Sequence, residues 1–183
     1  MGTPARRRSL LILVVAVVVV AGALGVGVFV LLQNTRAWPA FVQPLVGRRS
    51  VHILGNAMAP TLRDGQIASV DTQVYTHHPP ERGDIILFKP PDEASRDFIK
   101  RIIALPGERI HINDGVVYIN GQVLQESYLP EKWTYNNQWP ASGQDQLIPP
   151  NQYFVLGDNR NHSSDSRSFG PVDRELILGK VLP

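Results

Sequence analysis

The chain has no cysteine among its 183 residues, and this absence removes several kinds of chemistry. Disulfide bonds, a cysteine nucleophile and zinc–thiolate sites all require that residue. Neither sign of charge dominates, because 18 Lys and Arg residues face 16 Asp and Glu residues and the formal net charge is +2. The basic residues are scattered rather than gathered into a stripe, so we expect no nucleic-acid partner.

The N-terminal part of the chain lacks charge over one long stretch. Residues 10–32 are almost entirely apolar and follow three arginines at 6–8. At about 1.5 Å per residue a helix of this length spans roughly 35 Å, against about 30 Å of bilayer hydrocarbon. The positive-inside tendency then puts the N-terminus in the cytoplasm. We predict a short cytoplasmic tail at 1–8, a transmembrane anchor at 9–32, a juxtamembrane linker at 33–47 and an extracytoplasmic domain at 48–183.

Two other interpretations of the apolar stretch are weaker. A cleaved signal peptide has an apolar core of only about 7–15 residues before a small-residue cleavage site. Residues 33–39 hold no clean site of that kind. A buried helix of a globular domain normally carries a polar face, which this stretch lacks.

Long helical patterns are absent after the predicted anchor, and short β-rich runs take their place. Runs bounded by Gly or Pro predict strands at 51–54, 66–71, 84–88, 98–105, 153–156 and 177–182. Between residues 111 and 123, the pairs Asp114-Gly115 and Asn120-Gly121 predict two tight hairpin turns, since both favour positive φ. We therefore predict a mainly β domain.

Residues 126–150 differ from these strand runs. They are polar, flanked by proline and include Trp133, Tyr135 and Trp139. This composition predicts an inserted loop outside the core. Its aromatic residues either pack together or reach the membrane interface, and we favour contact with the interface.

One turn has the form of a protease nucleophile turn but lacks a hydroxyl. Residues 55–62 read Gly-Asn-Ala-Met-Ala-Pro-Thr-Leu, with Ala57 where a serine would act. A serine–lysine site needs a presented hydroxyl, a neutral amine and donors for the oxyanion. An ordinary lysine has a pKa of about 10.4, so only about one in a few thousand is neutral at pH 7 unless burial lowers that pKa. Lys100, flanked by apolar residues, is the candidate amine.

Taken alone, each feature has a simpler explanation. A strand lysine such as Lys100 is more often solvated. The run Gly157-Asp158-Asn159-Arg160 is common turn chemistry. Met58 is equally well a plain core residue. The combination and the order of these features therefore carry the functional interpretation.

In that combination the motifs resemble those of the type I signal peptidases, the membrane-bound enzymes that remove signal peptides from exported proteins. Four runs carry the resemblance, at 57–62, 82–88, 100–108 and 157–170. In the first, the family's usual Ser-Met-x-Pro-Thr-Leu is present as Ala-Met-Ala-Pro-Thr-Leu. With the predicted anchor, the resemblance covers nearly the whole chain except 126–150. It implies a signal-peptidase-type coiled β-sheet domain preceded by one N-terminal transmembrane helix.

The resemblance implies a role for each matching residue. Ala57 occupies the nucleophile position, and Lys100 is the general base, which Ser163 orients. The backbone N–H of Ala57 and the Gly55 region supply donors to the oxyanion. Structural support falls to Asp158, Arg160, Asp165 and Arg167, of which the last two form an ion pair. The substrate pocket is assigned to Ile53, Met58 and Ile102.

The same resemblance implies the partners and the setting. Secretory preproteins are the substrates; their signal peptides lie as an extended strand beside the strand that leads to residue 57 and are cut after Ala-x-Ala. The lipid bilayer is the second partner. We expect a monomer in a bacterial cytoplasmic membrane, with no metal and no organic cofactor.

The alanine at position 57 predicts an inactive chain. A methyl group cannot attack a peptide bond, and loss of the nucleophile in a subtilisin-type triad lowers turnover about a millionfold. Three origins stay open: a deliberate substitution, a natural pseudopeptidase that binds extended segments without cutting them, and a sequence variant. The retained Lys100, Ser163, Asp165 and Arg167 favour a deliberate or recent change. A self-cleaving repressor protease shares serine–lysine chemistry, but the anchor and the Gly-Asp-Asn-Arg run count against it.

Overall fold

β-Strands are the main elements of the chain from Gly47 onward. A computed structural model describes residues 47–92, 95–129, 139–140 and 144–182. The strands are β1 (Arg48–His52), β2 (Ile67–Asp71), β3 (Ile85–Phe88), β4 (Phe98–Ala104), β5 (Arg109–Asn113), β6 (Val116–Ile119), β7 (Gln122–Val123), β8 (Gln146–Leu147), β9 (Gln152–Leu156), β10 (Val172–Asp173) and β11 (Ile177–Leu182). The mainly β prediction is confirmed.

Helical structure is sparse in these described ranges. It comprises one short helix, α1 (Ser166–Phe169), and single 3-10 turns at Val74–Thr76, Arg160–His162 and Arg174–Leu176. No helix in the described part of the chain is long and apolar enough to cross a membrane. The predicted anchor at 9–32 lies outside the described residues, as does nearly all of the predicted linker at 33–47.

Seven strands form one antiparallel sheet in the order β1-β2-β11-β3-β4-β9-β10. The C-terminal strand β11 lies between β2 and β3, so the end of the chain holds the two early hairpins together. A close approach at Gly179 makes this possible, because a Cβ there would lie 2.5 Å from the backbone oxygen of Asp71.

A second sheet has the order β7-β6-β5-β8. Both of its predicted tight turns are confirmed: Asp114 and Gly115 have φ values of 46° and 71°, and Asn120 and Gly121 have 52° and 77°. The side chains of this sheet pack on residues of β4 and β9, including Ile103 and Phe154.

Apolar side chains divide into three buried clusters. One joins the second sheet to β4 and β9. Another lies below the turn at residues 53–62, where Ile53, Met58 and Leu62 pack on Val70 and Leu87. The third covers the opposite face of β3, β4 and β9. Each fully buried large side chain stabilises the fold by about 1.5–3 kcal/mol.

Two local predictions are wrong. The first strand was expected at 51–54, but β1 is Arg48–His52, because its ladder with β2 ends where the chain turns away at Ile53. Residues 126–150 were expected outside the core, yet Ile148 is fully buried and Trp139 packs on Phe154 with 4.5 Å between ring centroids. Trp133 and Tyr135 lie outside the described residues, so their contact with the membrane interface stays a prediction.

Candidate active site

The turn that carries Ala57 is held at its base by backbone hydrogen bonds. The Ile53 N–H donates to Gln66 at 2.8 Å, and the Gly65 N–H donates back to Ile53 at 2.9 Å. Below this base, Met58 and Leu62 anchor the turn in the core at 2% and 0% exposure. Residue 57, between exposed Asn56 and buried Met58, is half-buried. The sequence thus builds a rigid loop that presents position 57 at the surface.

A cleft with a volume of about 590 Å³ lies beside this turn. One side of it is formed by β1 and the turn, and the other by residues 96–100 at the start of β4. It brings together four of the predicted site residues, Ile53, Gly55, Ala57 and Met58, with Lys100. Ile102 does not line this cleft. It is fully buried in the cluster with Ile86 and Phe88, because the strand carries it under the sheet.

Two strand edges border the cleft without a strand partner in the described ranges. β1 pairs only with β2. β4 pairs with β3 along Phe98–Arg101, whereas its pairing with β9 begins only at Arg101. Backbone groups on one side of residues 98–100 therefore face the cleft from opposite β1. Such edges are ready to pair with an added extended chain.

Lys100 is buried in this site, with 5% of its surface exposed. Its ammonium Nζ donates a hydrogen bond to the Ile99 carbonyl at 3.0 Å and lies 5.1 Å from the centre of the Phe98 ring. Burial lowers the pKa of Lys100 to about 8, and the negative charges of Asp165 and Asp158 offset part of that effect. A far larger fraction of this amine is therefore neutral near pH 7 than of an ordinary lysine.

Asp158 is fixed by two partners behind Lys100. Arg101 donates to both of its carboxylate oxygens, at 2.8 and 2.6 Å, and the Thr61 hydroxyl donates to it at 2.6 Å. The guanidinium carbon of Arg101 also lies 4.1 Å from the centre of the Tyr128 ring. The Asp158 side chain is fully buried, and this bidentate pairing compensates its charge.

Asp165 and Arg167 form the ion pair that the resemblance implies. Two guanidinium nitrogens of Arg167 donate to the two carboxylate oxygens of Asp165, at 2.8 and 2.9 Å. The same carboxylate caps α1 and accepts the Gly157 N–H at 3.1 Å. The pair therefore ties the start of the 157–167 loop to its end.

Arg160 is held largely by residues of the predicted insertion at 126–150. Its guanidinium pairs with the Glu126 carboxylate and donates to the Tyr128 hydroxyl at 3.1 Å, while its Nε donates to the Gly157 carbonyl at 3.0 Å. Neither Glu126 nor Tyr128 was singled out from the sequence. No local pattern marks them, because their partner is more than thirty residues further along the chain.

Position 157 requires a glycine for the site to close. A Cβ there would lie 2.2 Å from the Ser163 hydroxyl and 2.5 Å from the Ala57 carbonyl. The Asn159 N–H also donates to that carbonyl at 3.0 Å. Gly157 therefore lets Ser163 and the backbone of residue 57 meet.

Ser163 lies near residue 57, but its hydroxyl is not hydrogen-bonded to the Lys100 amine. Its hydroxyl donates to the Ser164 carbonyl at 3.5 Å. Among the described residues it makes no hydrogen bond with Lys100, whose Nζ turns to Ile99. The orienting role of Ser163 stays a prediction.

The predicted oxyanion donors differ in availability. The Gly55 N–H donates to the Asp64 carboxylate at 2.7 Å and is already used. The Ala57 N–H makes no hydrogen bond with any other described residue. The backbone N–H of residue 57 is therefore the better candidate donor.

Comparison with known proteins shows the family of this chain. The profile of the family described as "Signal peptidase, peptidase S26" matches residues 8–182. The chain belongs to this signal peptidase family. It is 42% identical over 138 residues to a probable signal peptidase I-1 of Synechocystis, covering 72% of this chain and 67% of the relative. A second Synechocystis relative, probable signal peptidase I-2, is 39% identical and is covered over 59% of its length.

Relatives from other organisms match as well. Signal peptidase IB of Staphylococcus aureus strain COL is 33% identical over 141 residues, which cover 70% of this chain and 73% of the relative. The crystal structure of a signal peptidase I from Enterococcus faecalis V583 is 37% identical. It covers 57% of this chain and 98% of its own, with a TM-score of 0.50. Membership makes the chain a serine endopeptidase by family, one whose members act on signal peptides of preproteins.

Proposed function

We propose that this chain is a membrane-bound signal peptidase I scaffold that binds signal peptides of exported preproteins but, with Ala57 at the nucleophile position, does not cut them. The observation that carries the proposal is the presence of Lys100 and Ala57 in one cleft. Lys100 is buried and has a pKa of about 8, so it suits the role of general base. The proposed mechanism uses neither a metal nor a cofactor.

The cleft suits an extended peptide. A signal peptide adds a strand between the edge of β1 and residues 98–100, and backbone hydrogen bonds on both sides hold it. Pockets near Ile53 and Met58 then favour small side chains, consistent with cleavage after Ala-x-Ala. This geometry brings the scissile carbonyl to residue 57 and its oxygen to the N–H of that residue.

A serine at position 57 completes the proposed mechanism. Neutral Lys100 takes the proton of the serine hydroxyl as its oxygen attacks the scissile carbonyl. The Lys100 ammonium then gives this proton to the leaving nitrogen as the peptide C–N bond breaks, which releases the mature protein and leaves an acyl-enzyme beside a neutral amine. The same amine takes a proton from the water that attacks the ester, and that proton passes to the serine oxygen as the signal peptide leaves. Asp158 and Asp165 stay paired with their arginines and do not take part in proton transfer. Ser163 orients the Lys100 amine.

The Ala57→Ser variant tests this function. We expect the full chain with this substitution to cleave a secretory precursor after Ala-x-Ala, with a gain over the Ala57 chain on the order of a millionfold. The double variant Ala57→Ser/Lys100→Met is the control and is expected to stay inactive. A folded Ala57→Ser chain that leaves the precursor intact would contradict a competent site around residue 57.

A non-catalytic binder is the second candidate function, and the alanine itself favours it. In that case the Ala57 chain holds signal peptides or other extended segments as its final task. Equilibrium binding of an Ala-x-Ala peptide to the Ala57 chain is expected under both functions. Absence of binding at a peptide concentration of about 1 mM would rule out both functions.

The setting follows from the predicted anchor. We place residues 9–32 in the bacterial cytoplasmic membrane, the N-terminus in the cytoplasm and residues 48–183 outside as a monomer. Protease added to intact spheroplasts is expected to digest the C-terminal domain and spare an N-terminal tag. Protection of the domain from the protease would contradict this topology.

A further inference from the structure

An ion pair crosses the cleft at the end away from Ala57. Arg49 Nη2 and Asp97 Oδ2 are 2.7 Å apart. Arg49 belongs to β1, and Asp97 directly precedes β4. In the sheet these strands are separated by β2, β11 and β3, and both residues line the cleft. The pair therefore joins the two unpaired edges side chain to side chain.

Asp97 is anchored from its own side of the cleft. Its other oxygen accepts a hydrogen bond from Lys89 at 3.0 Å, and the Lys89 backbone N–H bonds to Leu176. Partial burial raises the pKa of Asp97, but the hydrogen bonds from Lys89 and Arg49 outweigh it and leave that pKa below its usual value. Asp97 is thus a negatively charged side chain held in place by Lys89, and the Arg49 side chain reaches across the cleft to it.

We propose that the Arg49–Asp97 ion pair closes the far end of the cleft and sets how many residues of an extended peptide fit before the peptide must displace it. The proposal rests on the proposed function, in which the cleft holds an extended peptide. Arg49 lies near the start of β1 and Ile53 directly follows its end, so about 13 Å of extended chain separates them at roughly 3.3 Å per residue. A peptide arm of about four residues fills that length, and a longer arm meets the pair.

The pair is weak enough for a peptide to open. The Arg49 side chain is 52% exposed and that of Asp97 is 23% exposed. Exposed pairs of this kind change an equilibrium by less than about fivefold and are screened by salt. The pair therefore grades peptides by length and does not exclude the long ones.

Calorimetric titration of the full Ala57 chain, which leaves the peptide intact, tests the proposal. The probes are uncharged Ala-x-Ala peptides: a short core, and the same core extended on its N-terminal or its C-terminal arm by about eight residues, twice the length that fits before the pair. We expect Arg49→Gln to bind the short core unchanged and one of the two extended peptides about two- to fivefold more tightly. The arm that responds also assigns the polarity of the bound strand.

Two controls separate the bridge from the charge of Asp97. Lys89→Gln removes the anchor of the same carboxylate but keeps the Arg49 bridge between the strands, so most of the preference for length is expected to stay. Arg49→Lys keeps a cation that reaches for Asp97 and is expected to restore part of the preference. In the unaltered chain, raising the salt from about 0.05 to about 0.5 M should favour the extended peptide as Arg49→Gln does.

The outcomes are distinct. If no peptide binds the unaltered chain, the proposed function and this proposal both fall. If the peptides bind but Arg49→Gln changes the short and extended probes equally or not at all, only the closure of the cleft by this pair is overturned.

Discussion

The charged loop behind Lys100 and the strand edge in front of Ala57 are built in different ways. In the loop, Asp158 and Asp165 are 1% and 0% exposed, and each carboxylate is bound by both arms of an arginine. At the edge, β1 lacks a second strand among the described residues and Leu54 is 87% exposed. The carboxylates of the loop are already paired within the protein, whereas the free edge of β1 can still pair with an added strand.

This difference shows which contacts of the site depend on the side chain of residue 57. The pKa of the Lys100 amine is set by burial and by the carboxylates of Asp158 and Asp165, which are paired with Arg101 and Arg167. None of these contacts uses the side chain of residue 57. A serine at position 57 would therefore add a hydroxyl to the cleft that Lys100 also lines, without changing the contacts that set the pKa of this lysine.

The largest expected effect comes from removing the base. In the Ala57→Ser chain, Lys100→Met is expected to lower cleavage of an Ala-x-Ala precursor by about a millionfold, the scale seen when the nucleophile or base of subtilisin is removed. Lys180→Met, which removes a lysine paired with Asp84 outside the cleft, should keep most of the activity. Substantial cleavage by the Lys100→Met form would mean that another group takes the proton.

The same lysine carries a cost in stability that depends on pH. The folded pKa of Lys100, about 8, is below its unfolded value, so the unfolded state binds more protons between about pH 8 and 10.5. Below pH 8 the full penalty of about 3 kcal/mol is present, and it disappears as the pH rises through that window. In the full Ala57 chain, urea unfolding should find Lys100→Met more stable at pH 7. A stability difference that is constant from pH 7 to 10 would contradict the lowered pKa.

Gly157→Ala tests the meeting of the loop with residue 57. The added Cβ would contact Ser163 and the Ala57 carbonyl at less than 3 Å, so we expect a loss of about 1–3 kcal/mol and weaker peptide binding. Gly179→Ala is the matched control, since its Cβ would meet the Asp71 carbonyl, away from the cleft. It should lose similar stability and bind peptide normally once folded. Equal peptide binding by both variants would mean that the close contact at Gly157 does not affect the peptide site.

The smallest expected effect is a shift of a pH profile. Arg167→Gln leaves the Asp165 carboxylate without its bidentate partner, and the extra negative potential raises the pKa of Lys100. In the Ala57→Ser chain, the rise of activity with pH should move upward by on the order of one unit. Arg109→Gln, an exposed position on β5, should leave the profile in place. A profile that moves downward would reverse the assigned electrostatics.

Local chemistry made part of this fold predictable. Asp114-Gly115 and Asn120-Gly121 adopt the positive φ values that their residue types favour, and the hairpins follow. Most strand runs were also visible as short apolar segments. The motifs around Ala57 and Lys100 predicted a shared site, and both residues line one cleft.

Long-range pairing could not be predicted from such patterns. The position of β11 between β2 and β3 depends on contacts far apart in the chain. The pairing of Arg101 with Asp158 and of Arg160 with Glu126 joins residues separated by 57 and 34 positions. Ile148 looked like part of a loop because much of the run 126–150 is polar and two prolines follow this residue, but packing on β4 and β9 buries it completely.

The titration of the Lys100 amine tests the account most directly. Nitrogen-15 NMR of the full Ala57 chain, with Lys100→Met to assign the signal, follows the protonation of Nζ as the pH is raised. We expect a midpoint of about 8, caused by burial in the cleft. A midpoint near the ordinary lysine value of about 10.4 would mean that water reaches the amine, and Lys100 would then not be the base of this site.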